Sequence, residues 1–189
     1  MMNLLNLKRI SGERPCFTNM ADADCIIKTL CLVFVGRLIK GKSILNVIKS
    51  IRKLQNVNLT IYGDGDERIK IMNFIKRNDL CKRVFLRGFQ SNKKILNSLK
   101  KYDAFVAFHK YYEFPKTIIE ASLVGLPIIL NRNPSLSIQE FRNLKILWTD
   151  DNVESYRKTI ELFMKKKLYF KSNISQNKKE IKKILKSNG

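Results

Sequence analysis

Short apolar runs alternate with amphipathic segments along most of the chain. The run CLVFVG at residues 31–36 is continuous and rich in apolar and β-branched side chains, which is typical of a strand covered on both faces. The next segment repeats apolar side chains at helical spacing and predicts an amphipathic helix near residues 42–54. These apolar positions are Ile44, Leu45, Ile48, Ile51 and Leu54.

The same alternation continues along the rest of the chain. Further strands are predicted at NLTIYGDG (58–65), KRVFLRGF (82–89), YDAFVAF (102–108), IIL (128–130) and KILW (145–148). Helices are predicted at 66–78, 92–100, 116–123 and 137–141, and a polar helical segment follows from about residue 152. Strands separated by helices imply a parallel sheet with right-handed crossovers. The predicted fold class is therefore α/β, a Rossmann-like doubly wound parallel sheet.

Three ranges divide the chain. Residues 1–28 have no clear period and are interpreted as a lead-in, residues 29–170 as the Rossmann-like domain, and residues 171–189 as a basic helical tail. The last helix of the domain is expected to pack on the sheet through three side chains, Tyr156, Ile160 and Phe163.

Composition indicates a globular protein with one core. The chain has 189 residues, 44% of them hydrophobic and 28% charged, and no apolar run approaches the roughly 18 residues of a membrane span. Its first residues lack the apolar centre and cleavage site of a signal peptide, so a cytoplasmic location is predicted. The four cysteines form no CxxC pair and only one histidine is available, so no zinc site is expected.

The formal net charge of +21 has two interpretations. It is either a lysine excess spread over the whole chain or the mark of a partner such as nucleic acid, an anionic membrane or a phosphorylated ligand. Arginine and aromatic residues are not interleaved on one strand or helix, so no nucleic-acid partner is predicted. A peripheral contact with the inner face of an anionic membrane stays open.

Acidic side chains lie before and inside the predicted helix at 116–123, at Glu113 and Glu120. In one interpretation they only stabilise the helix dipole, by roughly 0.3 to 1 kcal/mol each. In the other they face the crevice beyond the carboxyl ends of the parallel strands, where ligands bind, and hold hydroxyl groups.

Four blocks of the sequence, taken together, resemble the C-terminal, donor-binding half of a GT-B glycosyltransferase of the large retaining family 4, the group 1 type. The blocks are VGRLIKGKS, LTIYGDGDER, VFLRGF and YYEFPKTIIEASLVGLPII. The resemblance runs from about Leu32 to Glu140 and implies one half of a GT-B fold. It also implies a retaining, hexosyltransferase-like enzyme that uses a nucleoside-diphosphate sugar, without a metal, in surface polysaccharide or lipopolysaccharide synthesis.

In the first block, Arg37 leaves the first strand and Lys42 opens the next helix, so two cations converge beside the backbone at Gly36. The resemblance implies that these cations hold the donor diphosphate and stabilise it as it leaves. The alternative is that both are surface cations. Gly88 and Phe89 end the third strand, where the family seats the nucleotide base, although Phe89 is equally compatible with a place in the core.

The family has two glutamates separated by seven residues, of which the second holds the ribose and the first contacts the sugar. Glu120 matches the second position, but Tyr112 stands at the first, and Glu113 serves there only if the loop is one residue shorter. The segment NRNPSLS replaces an expected glycine-rich turn, and Glu140 matches the acid after it. His109 is interpreted as a loop residue, a donor contact or a general base.

A GT-B enzyme has two Rossmann-like halves, and residues 1–28 are too few to supply the acceptor-binding one. The chain is therefore expected to bind a donor and to need a partner chain or a missing domain for transfer. The alternative from another class is an inactive, basic Rossmann-like module that binds anionic membrane or nucleic acid.

Overall fold

The computed structural model of the protein describes residues 29–40, 44–108, 116–132 and 144–166. Within these residues, six strands form one sheet, and all the pairs are parallel. The strands are β1 (Leu30–Val35), β2 (Val57–Tyr62), β3 (Val84–Gly88), β4 (Ala104–Ala107), β5 (Ile128–Asn131) and β6 (Ile146–Thr149). The helices are α1 (Ile44–Arg52), α2 (Arg68–Arg77), α3 (Asn92–Leu99), α4 (Lys116–Leu123) and α5 (Val153–Lys166).

The strand order in the sheet is β3-β2-β1-β4-β5-β6. The chain starts in the middle at β1, moves outward to β3, and then returns past β1 to β4 before moving outward again. The direction therefore reverses between β1 and β4, and this is the topological switch point of a doubly wound sheet. The predicted Rossmann-like α/β class is confirmed.

Both faces of the sheet are buried, as the continuous apolar runs predict. In β1, Leu32 and Phe34 join one core cluster, whereas Cys31 and Val33 point to the other. Side chains of α1, α2 and α5 fill the first cluster, and side chains of α3 and α4 fill the second. The period of two along each strand distributes the apolar side chains to the two helix layers.

The last helix packs as predicted. Tyr156, Ile160 and Phe163 are buried in the same cluster as α1 and the first face of the sheet. These side chains lie on one face of α5 because they are spaced by four and three residues. Helix α5 thus completes the layer that α1 and α2 begin.

Three predicted helices are shorter within the described residues, and α3 differs least, since it ends at Leu99, one residue early. The chain leaves α1 after Arg52, and Arg83 donates hydrogen bonds from Nη1 to the carbonyl oxygens of Ile51 and Leu54. Helix α2 begins at Arg68 because the preceding residues form a turn, in which the Arg68 amide bonds the Gly65 carbonyl at 2.9 Å.

Several predictions fall on residues outside the described ranges, namely the lead-in 1–28, the helix at 137–141 and the tail 171–189. Among the helices of the described part, none combines the length and the hydropathy that crossing a membrane requires.

Candidate functional site

The candidate site lies at the carboxyl edge of the sheet, at the ends of β1, β2 and β3, on one side of the switch point. Gly36 and Arg37 follow β1, Gly63 follows β2, and Gly88 ends β3. These residues lie at one edge because carboxyl ends of parallel strands share an edge. Three predicted site residues, Lys42, His109 and Glu113, lie outside the described residues.

Backbone hydrogen bonds join the three turns at this edge. The Gly36 amide bonds the Tyr62 carbonyl at 3.0 Å, and the Gly63 amide bonds the Gly88 carbonyl at 2.8 Å. The Leu38 amide bonds the Asp64 carbonyl at 2.9 Å. The turns after β1, β2 and β3 are therefore one connected backbone unit, which we call the turn platform (residues 36–38, 63–65 and 88).

Two glycines allow the turns of the platform to approach so closely. A Cβ atom at Gly63 would lie 1.9 Å from the Gly36 carbonyl oxygen, and one at Gly65 would lie 2.5 Å from the Leu38 carbonyl oxygen. Both glycines also have positive φ, at 138° and 152°. Any side chain at these positions collides with the neighbouring turn, so the close approach of the turns requires glycine at both.

Cationic and aromatic side chains surround the platform. Arg37 is exposed immediately after β1, which is compatible with a ligand contact and equally with a surface cation. Phe89 is 81% exposed, so the interpretation of Phe89 as a core residue is wrong. The side chain of Phe89 is therefore largely open to solvent at the end of β3.

Arg68 connects the second and third turns of the platform. Its Nη1 atom lies 3.9 Å from Asp64 Oδ2 and 3.6 Å from the position of a Cβ atom built on Gly88. Nη1 is buried and has no hydrogen-bond partner among the described residues. The sequence block LTIYGDGDER contained Arg68, but its position in a helix did not reveal this contact with the end of β3.

Glu120 is the fifth residue of α4, and no acidic residue occupies the first turn of that helix. The interpretation of Glu120 as a first-turn acid on the helix dipole is therefore wrong. Its side chain is 13% exposed, and Oε1 accepts a hydrogen bond from Asn92 Nδ2 at 3.0 Å. Asn92 was not predicted as a site residue, and no local pattern indicates its proximity to a glutamate 28 positions away.

A pair of tyrosines supports the end of β2. The hydroxyl groups of Tyr62 and Tyr102 are 2.9 Å apart, and their rings meet edge to face. Burial raises the pKa of Tyr102 above its ordinary value. Tyr102 therefore keeps its proton to a higher pH than an exposed tyrosine does, and this proton is available to the hydrogen bond with Tyr62.

The acidic side chains at this edge include Asp64 and Asp66, which flank Gly65. Asp64 Oδ1 accepts a hydrogen bond from the Gly65 amide at 2.9 Å, so this carboxylate already has a structural partner. In the described part of the chain, no group of three or more His, Cys, Asp or Glu side chains is placed to hold a metal ion. Donor binding without a metal stays a prediction.

The fold defines a Rossmann-like α/β protein whose sheet has its topological switch point between β1 and β4. A sequence profile of the family described as "Glycosyl transferases group 1" matches residues 27–181. The chain belongs to this family. The family confirms the coarse part of the resemblance drawn from the four sequence blocks, namely a group 1 glycosyltransferase.

Curated relatives match over part of their length. The uncharacterized glycosyltransferase MJ1059 of Methanocaldococcus jannaschii is 33% identical over 99 residues, which are 50% of this chain and 24% of the relative. The lipopolysaccharide core biosynthesis glycosyltransferase LpsD of Rhizobium meliloti is 28% identical over 112 residues, 59% of this chain and 32% of the relative. The chain thus spans about a quarter to a third of these proteins.

Solved structures show the same fold at low identity. The lipopolysaccharide outer core galactosyltransferase WaaB superposes with a TM-score of 0.66 at 19% identity, covering 86% of this chain and 50% of WaaB. HepE of Anabaena, solved in complex with UDP, gives a TM-score of 0.67 at 18% identity over 79% of this chain and 43% of HepE. These similarities support the Rossmann-like architecture.

Proposed function

We propose that the chain is the C-terminal, donor-binding half of a retaining GT-B glycosyltransferase. Its donor is a nucleoside-diphosphate sugar, and its pathway is surface polysaccharide or lipopolysaccharide synthesis. One observation carries the proposal: the carboxyl edge joins the turns after β1, β2 and β3 into a platform beside an exposed arginine. LpsD and WaaB are named as lipopolysaccharide core glycosyltransferases and HepE was solved with UDP, and these similarities support the proposed substrate class and pathway.

In this proposal the diphosphate lies over the turn after β1. Arg37 and Lys42 bind its oxygens, and the backbone at Gly36 allows a close approach. Each charge-assisted hydrogen bond contributes roughly 1.5 to 3 kcal/mol. The same cations stabilise the charge that develops on the diphosphate as the bond to the sugar breaks, so they act in catalysis as well as in binding.

The rest of the donor extends along the carboxyl edge. Gly88 and Phe89 seat the base. Phe89 is exposed at the end of β3, and Gly88 beside it has a positive φ of 66° and no side chain to obstruct the base. Glu120 accepts hydrogen bonds from the ribose hydroxyls. Glu113 contacts the transferred hexose and contributes to catalysis, and His109 contacts the donor.

Transfer also needs an acceptor substrate. We assign acceptor binding to a second Rossmann-like half, which is supplied by another part of the polypeptide or by a partner chain. In this arrangement the acceptor attacks from the side the diphosphate leaves, and the configuration of the sugar is retained. The protein's contribution is positioning and leaving-group stabilisation by cations, with no metal.

Calorimetric titration with UDP, GDP and their sugar conjugates at two salt concentrations tests donor binding. A saturable, base-selective signal is expected for the intact chain. Glu120→Ala should weaken nucleotide binding by roughly 1 to 3 kcal/mol, because the ribose hydroxyls lose their acceptor. Glu161→Ala, which removes the same charge from α5, is the control. Equal affinities for the two variants would contradict the assigned role of Glu120.

A second proposal is peripheral contact with an anionic membrane at its cytoplasmic face. The observation that favours it is a row of exposed lysines at the amino edge of the sheet, in the segments that lead into β2, β3 and β4. These lysines are Lys53, Lys82, Lys100 and Lys101. The row lies at the edge opposite the turn platform, so membrane contact and donor binding do not compete for one surface.

A further inference from the structure

Two side chains contact the same carboxylate oxygen of Glu120. Asn92 Nδ2 donates a hydrogen bond to Oε1 at 3.0 Å, and Lys116 Nζ lies 4.0 Å from the same atom. Among the contacts made by described residues, both fall on Oε1. The carboxylate is therefore held from one side.

The two contacts differ in strength and direction. Lys116 is 81% exposed, so its attraction to Glu120 is screened by solvent and its side chain is not confined to one conformation. The Asn92 bond is within ordinary hydrogen-bond length and requires the amide to point at the oxygen. Asn92 is itself exposed, but its bond is the shorter and the directional one of the two, so Asn92 has the larger share in orienting the carboxylate.

The fold places Asn92 at the first position of α3. The preceding residue, Ser91, has the extended backbone of a helix cap, with φ −62° and ψ 146°. Helix α3 packs beside α4 because Ile95 and Ile119 belong to one core cluster. The start of α3 is thus positioned against Glu120 by helix packing and not by a mobile loop.

We propose that Asn92 is a positioning residue for donor binding. By holding Oε1, it turns the other oxygen, Oε2, toward the crevice, where Oε2 accepts a ribose hydroxyl of the nucleotide. The inference rests on the proposed function, since it assigns a partner to the ribose-binding carboxylate. Asn92 itself does not touch the nucleotide.

A double-mutant cycle with UDP as the probe tests this role, and GDP replaces UDP if the chain prefers that base. Asn92→Ala should lower nucleotide affinity roughly 2- to 10-fold, as expected for loss of one orienting hydrogen bond. In the Glu120→Ala background the same substitution should change affinity by less than about twofold, because the group it orients is gone. Asn97→Ala, an exposed asparagine on the same helix, is the control and should leave affinity unchanged.

The variant Asn92→Asp adds a second test, the pH dependence of UDP affinity, which should not change if Asn92 has only a structural role. At neutral and higher pH its carboxylate repels Glu120, so UDP affinity should fall further than in Asn92→Ala. As the pH is lowered, the two carboxyl groups share a proton and the hydrogen bond returns. The affinity of Asn92→Asp relative to that of the unmodified chain should therefore rise with falling pH.

The outcomes separate this inference from the proposed function. If Glu120→Ala weakens UDP binding but Asn92→Ala does not, the positioning role is wrong and donor binding by Glu120 stands. Equal losses on Asn92→Ala in both backgrounds also overturn it, since Asn92 then acts independently of Glu120. If Glu120→Ala binds UDP as the unmodified chain does, or if that chain binds neither nucleotide, the proposed function fails and this inference fails with it.

Discussion

Gly63 and Gly88 both have positive φ at the carboxyl edge, but their surroundings differ. A Cβ atom at Gly63 would lie 1.9 Å from a backbone oxygen of Gly36. At Gly88 the corresponding distance is 3.6 Å, to the end of the Arg68 side chain, which is ordinary van der Waals contact. A side chain at Gly63 thus separates two turns, whereas one at Gly88 encounters only backbone strain.

We expect Gly63→Ala to destabilise the protein by more than about 3 kcal/mol, because it adds a backbone collision to the strain of positive φ. Gly88→Ala is the matched variant and should cost only about 1 to 2 kcal/mol. Urea unfolding of both variants measures the difference. Similar losses of unfolding free energy would mean that the turn platform is not as tightly joined as the hydrogen bonds indicate.

Tyr156 is fully buried, and its hydroxyl has no hydrogen-bond partner among the described residues. Burial, and secondarily the charge of Asp151, raise its pKa above the ordinary value of a tyrosine. The phenol therefore keeps its proton in the folded state at pH values where the unfolded chain loses it. The resulting stability is complete below about pH 10 and decreases as the pH rises further.

Tyr156→Phe should remove this part of the alkaline loss, roughly 1.4 kcal/mol per pH unit above pH 10. At pH 7 its unfolding free energy should equal or exceed that of the unmodified protein, since a buried hydroxyl without a partner is lost. Tyr102→Phe is the control: it also flattens the alkaline limb, but at pH 7 it is destabilising because Tyr62 loses its partner. Urea unfolding from pH 7 to 11 measures both. Parallel pH curves for Tyr156→Phe and the unmodified chain would contradict this account.

Helix α5 depends on a polar network at its first turn. The Ser155 amide donates to Asn152 Oδ1 at 2.8 Å, and the Asp150 amide donates to Ser155 Oγ at 2.9 Å. Asn152 immediately precedes the helix and acts as its N-cap. The neighbouring Asp151 accepts a hydrogen bond from Asn46 of α1 at 3.1 Å, which ties the two helices together.

Asn152→Ala should reduce the unfolding free energy by about 1 kcal/mol, because an amide in the first turn of α5 loses its acceptor. Asn152→Ser, which retains a capping oxygen, should restore most of this loss. Lys158→Ala, at an exposed position of the same helix, should change stability by less than about 0.5 kcal/mol. Thermal and urea unfolding give these values. An unfolding free energy of Asn152→Ala equal to that of the unmodified protein would show that α5 is held by Tyr156, Ile160 and Phe163 alone.

At the scale of the whole molecule, the two edges of the sheet carry different kinds of residue. The carboxyl edge carries the platform glycines, Arg37 and the fixed carboxylate of Glu120, whereas the amino edge carries exposed lysines before successive strands. Cations beside the carboxyl ends of α1 and α3 also complement the helix dipoles, so part of this pattern stabilises the fold. The remaining positive field is available to an anionic surface.

We expect the protein to bind phosphatidylserine vesicles at low salt and to release them as salt rises. The amino-edge variant combines Lys82→Glu, Lys100→Glu and Lys101→Glu. It should bind vesicles at least about tenfold more weakly, because each lysine contributes on the order of 1 kcal/mol near the membrane. The same charge change at Lys70, Lys94 and Lys158, which lie away from the amino edge, is the control. Cosedimentation measures binding, and UDP affinity should be unaffected by the amino-edge variant. Equal losses in both triple variants would indicate a response to net charge and not a defined surface.

The alternation of apolar and amphipathic segments was sufficient to predict the layers of this molecule. Continuous apolar runs such as β1 must be buried on both faces, and the spacing of Tyr156, Ile160 and Phe163 correctly placed α5 on the sheet. Turn residues indicated where the strands end, and four sequence blocks indicated the family. These features are local, so the sequence expresses them directly.

The contacts between elements were decided by tertiary structure. Asn92 and Glu120 are 28 positions apart, and neither helix pattern indicates that their side chains meet. The exposure of Phe89 and the approach of Gly63 to Gly36 likewise depend on how neighbouring turns are placed. The sequence by itself determined which segments form strands and helices and which faces are apolar, because periodicity is a property of a single element. The contact between Asn92 and Glu120 depended on the distance and angle between two packed helices, which only the assembled sheet defines.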